Sequence, residues 1–221
     1  MAITFPRDFP NAGLATRFDE VVFMPMFSQV RAPTRGGLVQ VALVGPALWQ
    51  MEFKTRLMGE AEFEEWRAWL SSLRGGARKF KAWDPLRRYA RAYRTGYAAL
   101  TRAGGGSFAA GTANLLSIAG PRDEITLSTL PAGFVLSLGD MISIPFGSSR
   151  SLHRVTEAGV ASAGGQATVG LEPPLPIGVT TGATVDLASP WCFAVLDAES
   201  ITETRDLNRL GAVAFKATQT Y

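Results

Sequence analysis

Between Leu48 and Trp83 the order of apolar and polar residues changes period twice. Trp49, Met51 and Phe53 alternate with Gln50, Glu52 and Lys54, the period-two pattern of a strand with one wet face. Next come Phe63, Trp66, Leu70 and Leu73, spaced by three or four, which predicts a helix over about 59–74 with these side chains on one face. Glu60, Glu62, Glu64 and Glu65 crowd its first turns, where negative charge meets the positive end of the helix dipole, and Arg67 and Arg74 come later. Gly75-Gly76 provides the stop, because glycine takes the left-handed conformation cheaply. Alternation resumes at Lys79-Phe80-Lys81-Ala82-Trp83. The pattern is strand, helix, strand.

Upstream, Val21, Phe23 and Met24 form one apolar run and Leu38 to Val44 a second, with the polar turn Arg31-Ala32-Pro33-Thr34-Arg35-Gly36-Gly37 between them. This predicts a β-hairpin with a long connection. Downstream, Asp84-Pro85 marks a turn, and Arg87 to Arg94 fits a strand or a short helix equally well. Gly104-Gly105-Gly106 and Ala110-Gly111-Thr112 read as a loop and a domain boundary; no Gly-Lys-Ser or Gly-Lys-Thr follows, so this is not a phosphate loop.

From Asn114 onward, short apolar segments at 115–118, 124–127, 140–145, 152–158, 166–171 and 183–187 alternate with glycine and proline turns. Five or six strands of this kind predict a small barrel that closes its own edges, of OB type. After Ser189-Pro190, the run Trp191 to Leu196 and two further strands, near Ile201 and Val213, return to the first module. The expected fold is mainly β with one main helix: a β-sandwich-like domain (1–112 plus 189–221) carrying an inserted OB-like barrel (113–188).

Composition narrows the function classes. Of 221 residues 47% are hydrophobic and 19% charged, which suits a packed core and not a disordered chain. No run reaches the ~18–20 apolar residues of a membrane span, and Met1 to Arg7 lacks the order of a secretory signal, so a protein used without export and without membrane contact is expected. The single cysteine, Cys192, forms no internal disulfide and sits in an apolar run as a small hydrophobe. The net charge of +3 is concentrated: Arg74, Arg78, Lys79, Lys81, Arg87, Arg88, Arg91 and Arg94 share a stretch whose only acid is Asp84. Such a run is a solvated loop, or it faces an acidic protein surface or the phosphates of DNA.

Candidate chemistry is sparse. His153, the only histidine, has no second histidine or cysteines to complete a metal site, and no Gly-x-Ser-x-Gly turn supplies a serine nucleophile. The pairs Glu60 with Glu64 and Glu199 with Glu203 imply no cleft by their spacing. No enzyme, cofactor or metal is expected. Tryptophans bury much area and favour interfaces, so Trp49, Trp69 and Trp83, with Arg87, Arg88, Arg91 and Arg94, are the candidate interface residues.

The early strands, Trp49 to Leu73 ending in Ser71-Ser72-Leu73-Arg74-Gly75, and Lys79-Phe80-Lys81-Ala82-Trp83-Asp84-Pro85 form a series that Leu130-Pro131-Ala132-Gly133, Leu138 to Ile144, Leu152-His153-Arg154-Val155-Thr156 and Val169 to Leu175 continue. Taken in order, these segments resemble the distal tail proteins of long-tailed (siphovirus-type) bacteriophages and related minor tail proteins. The resemblance implies a ring-forming β domain with an inserted OB-like module, assembled as a homohexamer at the far end of the tail tube. Its implied partners are copies of itself, the tail tube protein, a tail hub or baseplate protein, and receptor-binding or side-fibre proteins. The implied location is the tail tip of the virion, after synthesis in the host cytoplasm. The basic run 87–94 and the glycines 104–106 have no counterpart in that family. Rival expectations are a carbohydrate-binding module using exposed aromatics and, more weakly, a cell-wall hydrolase.

Overall fold

The structure, a computed structural model, describes residues 4–10, 18–33 and 35–221. Met1, Ala2 and Ile3 of the N-terminal stretch and Thr34 of the expected turn lie outside the described residues. In chain order the elements are β1 (Phe18–Met26), β2 (Gln29–Pro33), β3 (Val39–Leu43), β4 (Leu48–Thr55), α1 (Glu60–Ser72), β5 (Phe80–Trp83), β6 (Thr112–Ile118), β7 (Glu124–Ser128), β8 (Val135–Leu136), β9 (Met141–Phe146), β10 (Ser149–Glu157), β11 (Gly159–Val160), β12 (Ala167–Glu172), β13 (Thr184–Asp186), β14 (Trp191–Arg205) and β15 (Gly211–Gln219). The protein is mainly β, with a single α-helix among the described residues.

The first module is a five-stranded antiparallel sheet in the order β1-β4-β15-β14-β5, with α1 against it. Trp49, Met51, Phe53 and Thr55 of β4 are buried while Gln50, Glu52 and Lys54 are exposed. Phe63, Trp66, Trp69 and Leu70 of α1 are buried, each worth roughly 1.5–3 kcal/mol of transfer free energy. The helix ends where predicted: Leu73 is its C-cap, and Gly75 and Gly76 take φ of +60° and +91°. A side chain at 76 would also run into the main-chain oxygen of Leu196, so the stop doubles as a close approach to β14. The C-terminal strands complete the sheet, as expected. They begin with one long strand instead of two short ones: β14 continues through a bulge between Asp197 and Thr202. There the Ser200 hydroxyl donates to the Asp197 carbonyl (2.6 Å) and accepts the Lys216 N–H (2.7 Å).

The early hairpin is paired differently from the expectation. β1 runs antiparallel to β4, with Val21 opposite Phe53 and Met26 opposite Leu48, and the 39–43 strand pairs with 29–33. Two nested hairpins thus replace one. Alternation along 18–24 makes it a strand but does not name its partner.

The second module is a closed antiparallel barrel in the order β10-β12-β7-β6-β13-β9. Each of the six segments read as a strand contributes one, and β8 pairs with β11 as a short separate ladder. The two hydrophobic cores divide earlier than 112/113, however. Ala90, Tyr97 and Phe108 belong to the barrel core, so the chain crosses between modules at Asp84-Pro85 on the way in and at Ser189-Pro190 on the way out. Gly104-Gly105-Gly106 is consequently a turn and not a linker. Thr101 and Ser107 form a bridge around it, Arg102 N–H donates to Gly106 O (2.9 Å), and Gly105 and Gly106 have φ near +90°.

Candidate functional site

The three candidate interface tryptophans are core residues. Trp49, Trp69 and Trp83 are 0%, 1% and 8% exposed. The Trp69 indole donates to the Asp8 carbonyl (2.8 Å). Phe9 packs on Phe18, Phe53, Trp66, Trp69, Phe80 and Trp83. The N-terminal segment therefore covers the flank of α1 that carries Trp69. The backbone of Arg7 bridges Phe80, and Lys81 N–H donates to Arg7 O (2.8 Å), which shields the β5 edge.

Trp49 joins the two modules. Its indole N–H donates to the Leu152 carbonyl of the barrel (2.6 Å), and the Arg154 guanidinium lies 4.9 Å from its ring centre while donating to Phe23 O (2.7 Å). Burial, then the nearby Arg87 charge, weaken the hold of Arg154 on its proton, and Asp84 opposes them. At the crossing points, Ser189 N–H donates to Arg88 O (2.6 Å), tying the outgoing chain to the incoming one. Of the five tryptophans, Trp191 is half-buried, between the Arg150 guanidinium at 4.3 Å and the Lys81 ammonium at 5.2 Å. An exposed aromatic platform for sugars, on which the carbohydrate-binding expectation rested, is therefore not what these side chains form.

The basic run divides in two. Arg78, Lys79 and Lys81 lie along β5: Arg78 covers the Phe5 ring at 4.4 Å, Lys79 donates to Tyr221 O (2.8 Å), and Lys81 pairs with Asp8 (3.4 Å). Arg87, Arg88, Arg91 and Arg94 instead line one cleft of about 590 Å³ with Leu138, Gly139 and Asp140. The 87–94 segment is neither strand nor α-helix; it makes two single 3₁₀ turns, Pro85–Arg87 and Arg91–Tyr93. Each turn has an acid behind it. Asp84 caps Leu86 N–H (2.9 Å), and buried Asp140 accepts Arg91 N–H (2.8 Å) and Ser137 N–H (2.7 Å). Burial raises the pKa of Asp84 against the Leu86 N–H, Arg87 and Arg154, which lower it.

His153 is buried on β10. Its Nδ1–H donates to the Pro173 carbonyl oxygen (2.6 Å), and Nε2 has no hydrogen-bond partner among the described residues. Burial, partly offset by that hydrogen bond, lowers its pKa to about 4, so the imidazole is neutral near pH 7. Burial likewise pushes the Cys192 thiol up, away from the reactive thiolate. Of the two carboxylate pairs, three members are engaged in ion pairs across α1 and the β14–β15 turn: Glu64 and Glu203 with Arg67 (3.2 and 2.9 Å), and Glu60 with Arg205 and Arg209 (2.5 and 3.4 Å). Among the described residues no three His, Cys, Asp or Glu side chains are grouped to hold a metal ion, and no helix is long and apolar enough to cross a membrane.

One surface had not been singled out at all. The β2–β3 pair is a separate two-stranded ribbon beyond Met26 and Leu48, with Val44 N–H donating to Ser28 O (2.9 Å) at its base, and every residue of both strands is exposed. Register places Val39, Val41 and Leu43 on one face, opposite Pro33, Arg31 and Gln29. These aliphatics are 54–67% exposed. Beyond the other end of β4 lies a second group of exposed leucines. Paired main-chain bonds between Met58 and Gly211 (2.8 and 3.0 Å) tie the segment after β4 to the β14–β15 turn, and Leu57 on the one and Leu207 and Leu210 on the other are exposed. The signal for the arm lies in the apolar run 38–44; its lack of a covering layer does not show in the sequence.

No protein-family model matches this chain, and no curated protein matches it. The surfaces themselves must carry the functional reading. They offer an apolar arm, an apolar patch at the opposite end of the same strand, and a separate arginine-walled cleft.

Proposed function

We propose that this chain is a structural subunit of a phage tail, forming a homo-oligomeric ring at its distal end that joins the tail tube to tail-tip and host-recognition proteins. The ring has six copies if the resemblance to distal tail proteins extends that far. The observation that carries the reading is the exposed β2–β3 arm. A two-stranded ribbon is marginal in water without a layer against it, and its apolar face and two open edges invite pairing with another chain.

A neighbouring copy is the occupant we assign to it. The arm and the Leu57, Leu207 and Leu210 patch sit at opposite ends of the eight-residue strand β4, about 27 Å apart at 3.4 Å per residue. Two different surfaces that match in character, one at each end of β4, are what a head-to-tail contact needs, and such contacts close into rings when the rotation allows. The rigid joint through Trp49 and Arg154 would keep the barrel at a set angle on each subunit of the ring.

Native mass spectrometry and electron microscopy of the purified protein at high concentration test this. The expected result is a closed ring of identical subunits, six in number. A monomer that persists at every concentration, with no annular particle in images, contradicts it.

A further inference from the structure

We infer that the arginine-walled cleft at 85–94 and 138–140 is a docking site for an acidic, aliphatic-bearing segment of a partner protein. The inference stands apart from the ring contact, since the cleft lies on the barrel module and shares no residue with the arm or with the Leu57 patch.

Charge is the first ground. Four guanidiniums, from Arg87, Arg88, Arg91 and Arg94, line one concavity. The two acids near them are already engaged: Asp140 is buried and accepts two main-chain N–H groups, while Asp84 caps a turn and lies 3.6 Å from Arg87. Arg87 donates to the Gly139 carbonyl (2.7 Å) and Arg88 to the Ser189 hydroxyl (3.1 Å), so these two are held in place. The side chains of Arg91 and Arg94 are exposed and make no hydrogen bond or ion pair among the described residues. Elsewhere in this protein arginine is used as a structural tie. Arg102 and Arg122 each donate to three main-chain carbonyls. The contrast leaves Arg91 and Arg94 as donors facing solvent from a fixed wall, and the planar guanidinium fork matches a carboxylate bidentately.

The rim decides between protein and nucleic acid. Leu86 and Leu138 are 65% and 58% exposed and flank the arginines. Exposed leucines gain nothing from a phosphate backbone, but they gain from burial against aliphatic side chains, the usual composition of a protein interface with an apolar centre and a polar rim. Sequence-tolerant binding of single strands would call for free aromatic faces. The aromatics here are turned inward: Tyr93 stacks on Phe134 at 4.6 Å, and Tyr89 packs edge-on against Tyr97 at 5.1 Å with Arg88 over its ring. The cleft volume of about 590 Å³ suits a few side chains of an extended segment.

Fluorescence anisotropy on the full chain tests the inference with four labelled probes: a peptide alternating glutamate with leucine, an all-glutamate peptide of equal length, a single-stranded DNA oligonucleotide and its duplex. The glutamate–leucine peptide is expected to bind best. Its affinity should fall about tenfold or more in the Arg91→Glu/Arg94→Glu double variant and about threefold in Leu138→Ser, and weaken with added salt. Because these side chains make no internal bonds, both variants are expected to keep the wild-type circular dichroism spectrum and ring mass, which separates failure here from failure of the ring. No binding of the glutamate–leucine peptide, equal binding by Leu138→Ser and wild type, or tighter binding of either DNA than of the peptide would each overturn it.

Discussion

The β1–β4 pair and the β2–β3 arm follow one another along the chain as two antiparallel pairs, linked by Val44 N–H to Ser28 O, and have opposite surroundings. In β4 the alternation of Trp49, Met51 and Phe53 with polar residues is matched by burial, because α1 and Phe9 lie on the inner face. In β3 the run is nearly all apolar, with Val39, Val41 and Leu43 on one face and Ala42 beside the single polar residue Gln40 on the other, yet all five residues are exposed. Local pattern thus marks a strand that needs cover, and it leaves open whether the cover comes from the same chain. When it does not, the uncovered face is where a partner belongs.

Substitutions on the two strand pairs should differ most sharply. Trp49→Ala removes a fully buried indole, its hydrogen bond to Leu152 O and the ring under Arg154. A loss of about 3–5 kcal/mol is expected from the cavity and lost packing, read as a drop in the urea midpoint. Next in size is an effect of pH. His153 has its pKa lowered from 6.5 to about 4 by burial, so between those values the unfolded chain takes up the proton and the folded protein does not. Stability is therefore complete above pH 6.5, declines as pH falls toward 4, and changes no further from this group below that. The decline attributable to His153 is about 3 kcal/mol, at about 1.4 kcal/mol for each pH unit. His153→Gln should flatten that part of the curve in denaturant titrations across the range. Smallest is Val41→Ser on the arm, expected to change monomer stability by under about 0.5 kcal/mol, as for a surface site, in the same titrations.

Much of this architecture was legible in the chain. The strand–helix–strand of 48–83 follows from its change of period, and the barrel strands from alternation punctuated by glycine and proline. What escaped was set by contacts distant in sequence. Trp69 sits beside the helical stripe by spacing alone, and it is buried because Phe9 and Phe80 reach it. The glycines at 104–106 look like a linker by composition, but Tyr97 and Phe108 on either side enter the barrel core and make them a turn. The arginine cleft was half visible: the run of charge was plain, whereas its division between the β5 edge and the 85–94 turns depends on where Asp84 and Asp140 fix the backbone.

The central claim is that the arm joins copies of this chain, and sedimentation velocity on two proteins tests it most directly. One is the wild type; in the other, residues 29–43 are replaced by a short glycine–serine turn joining Ser28 to Val44. A ring-sized species for the wild type and a folded monomer for the trimmed protein, with unchanged thermal unfolding, is the result predicted. Identical sedimentation of the two would contradict it.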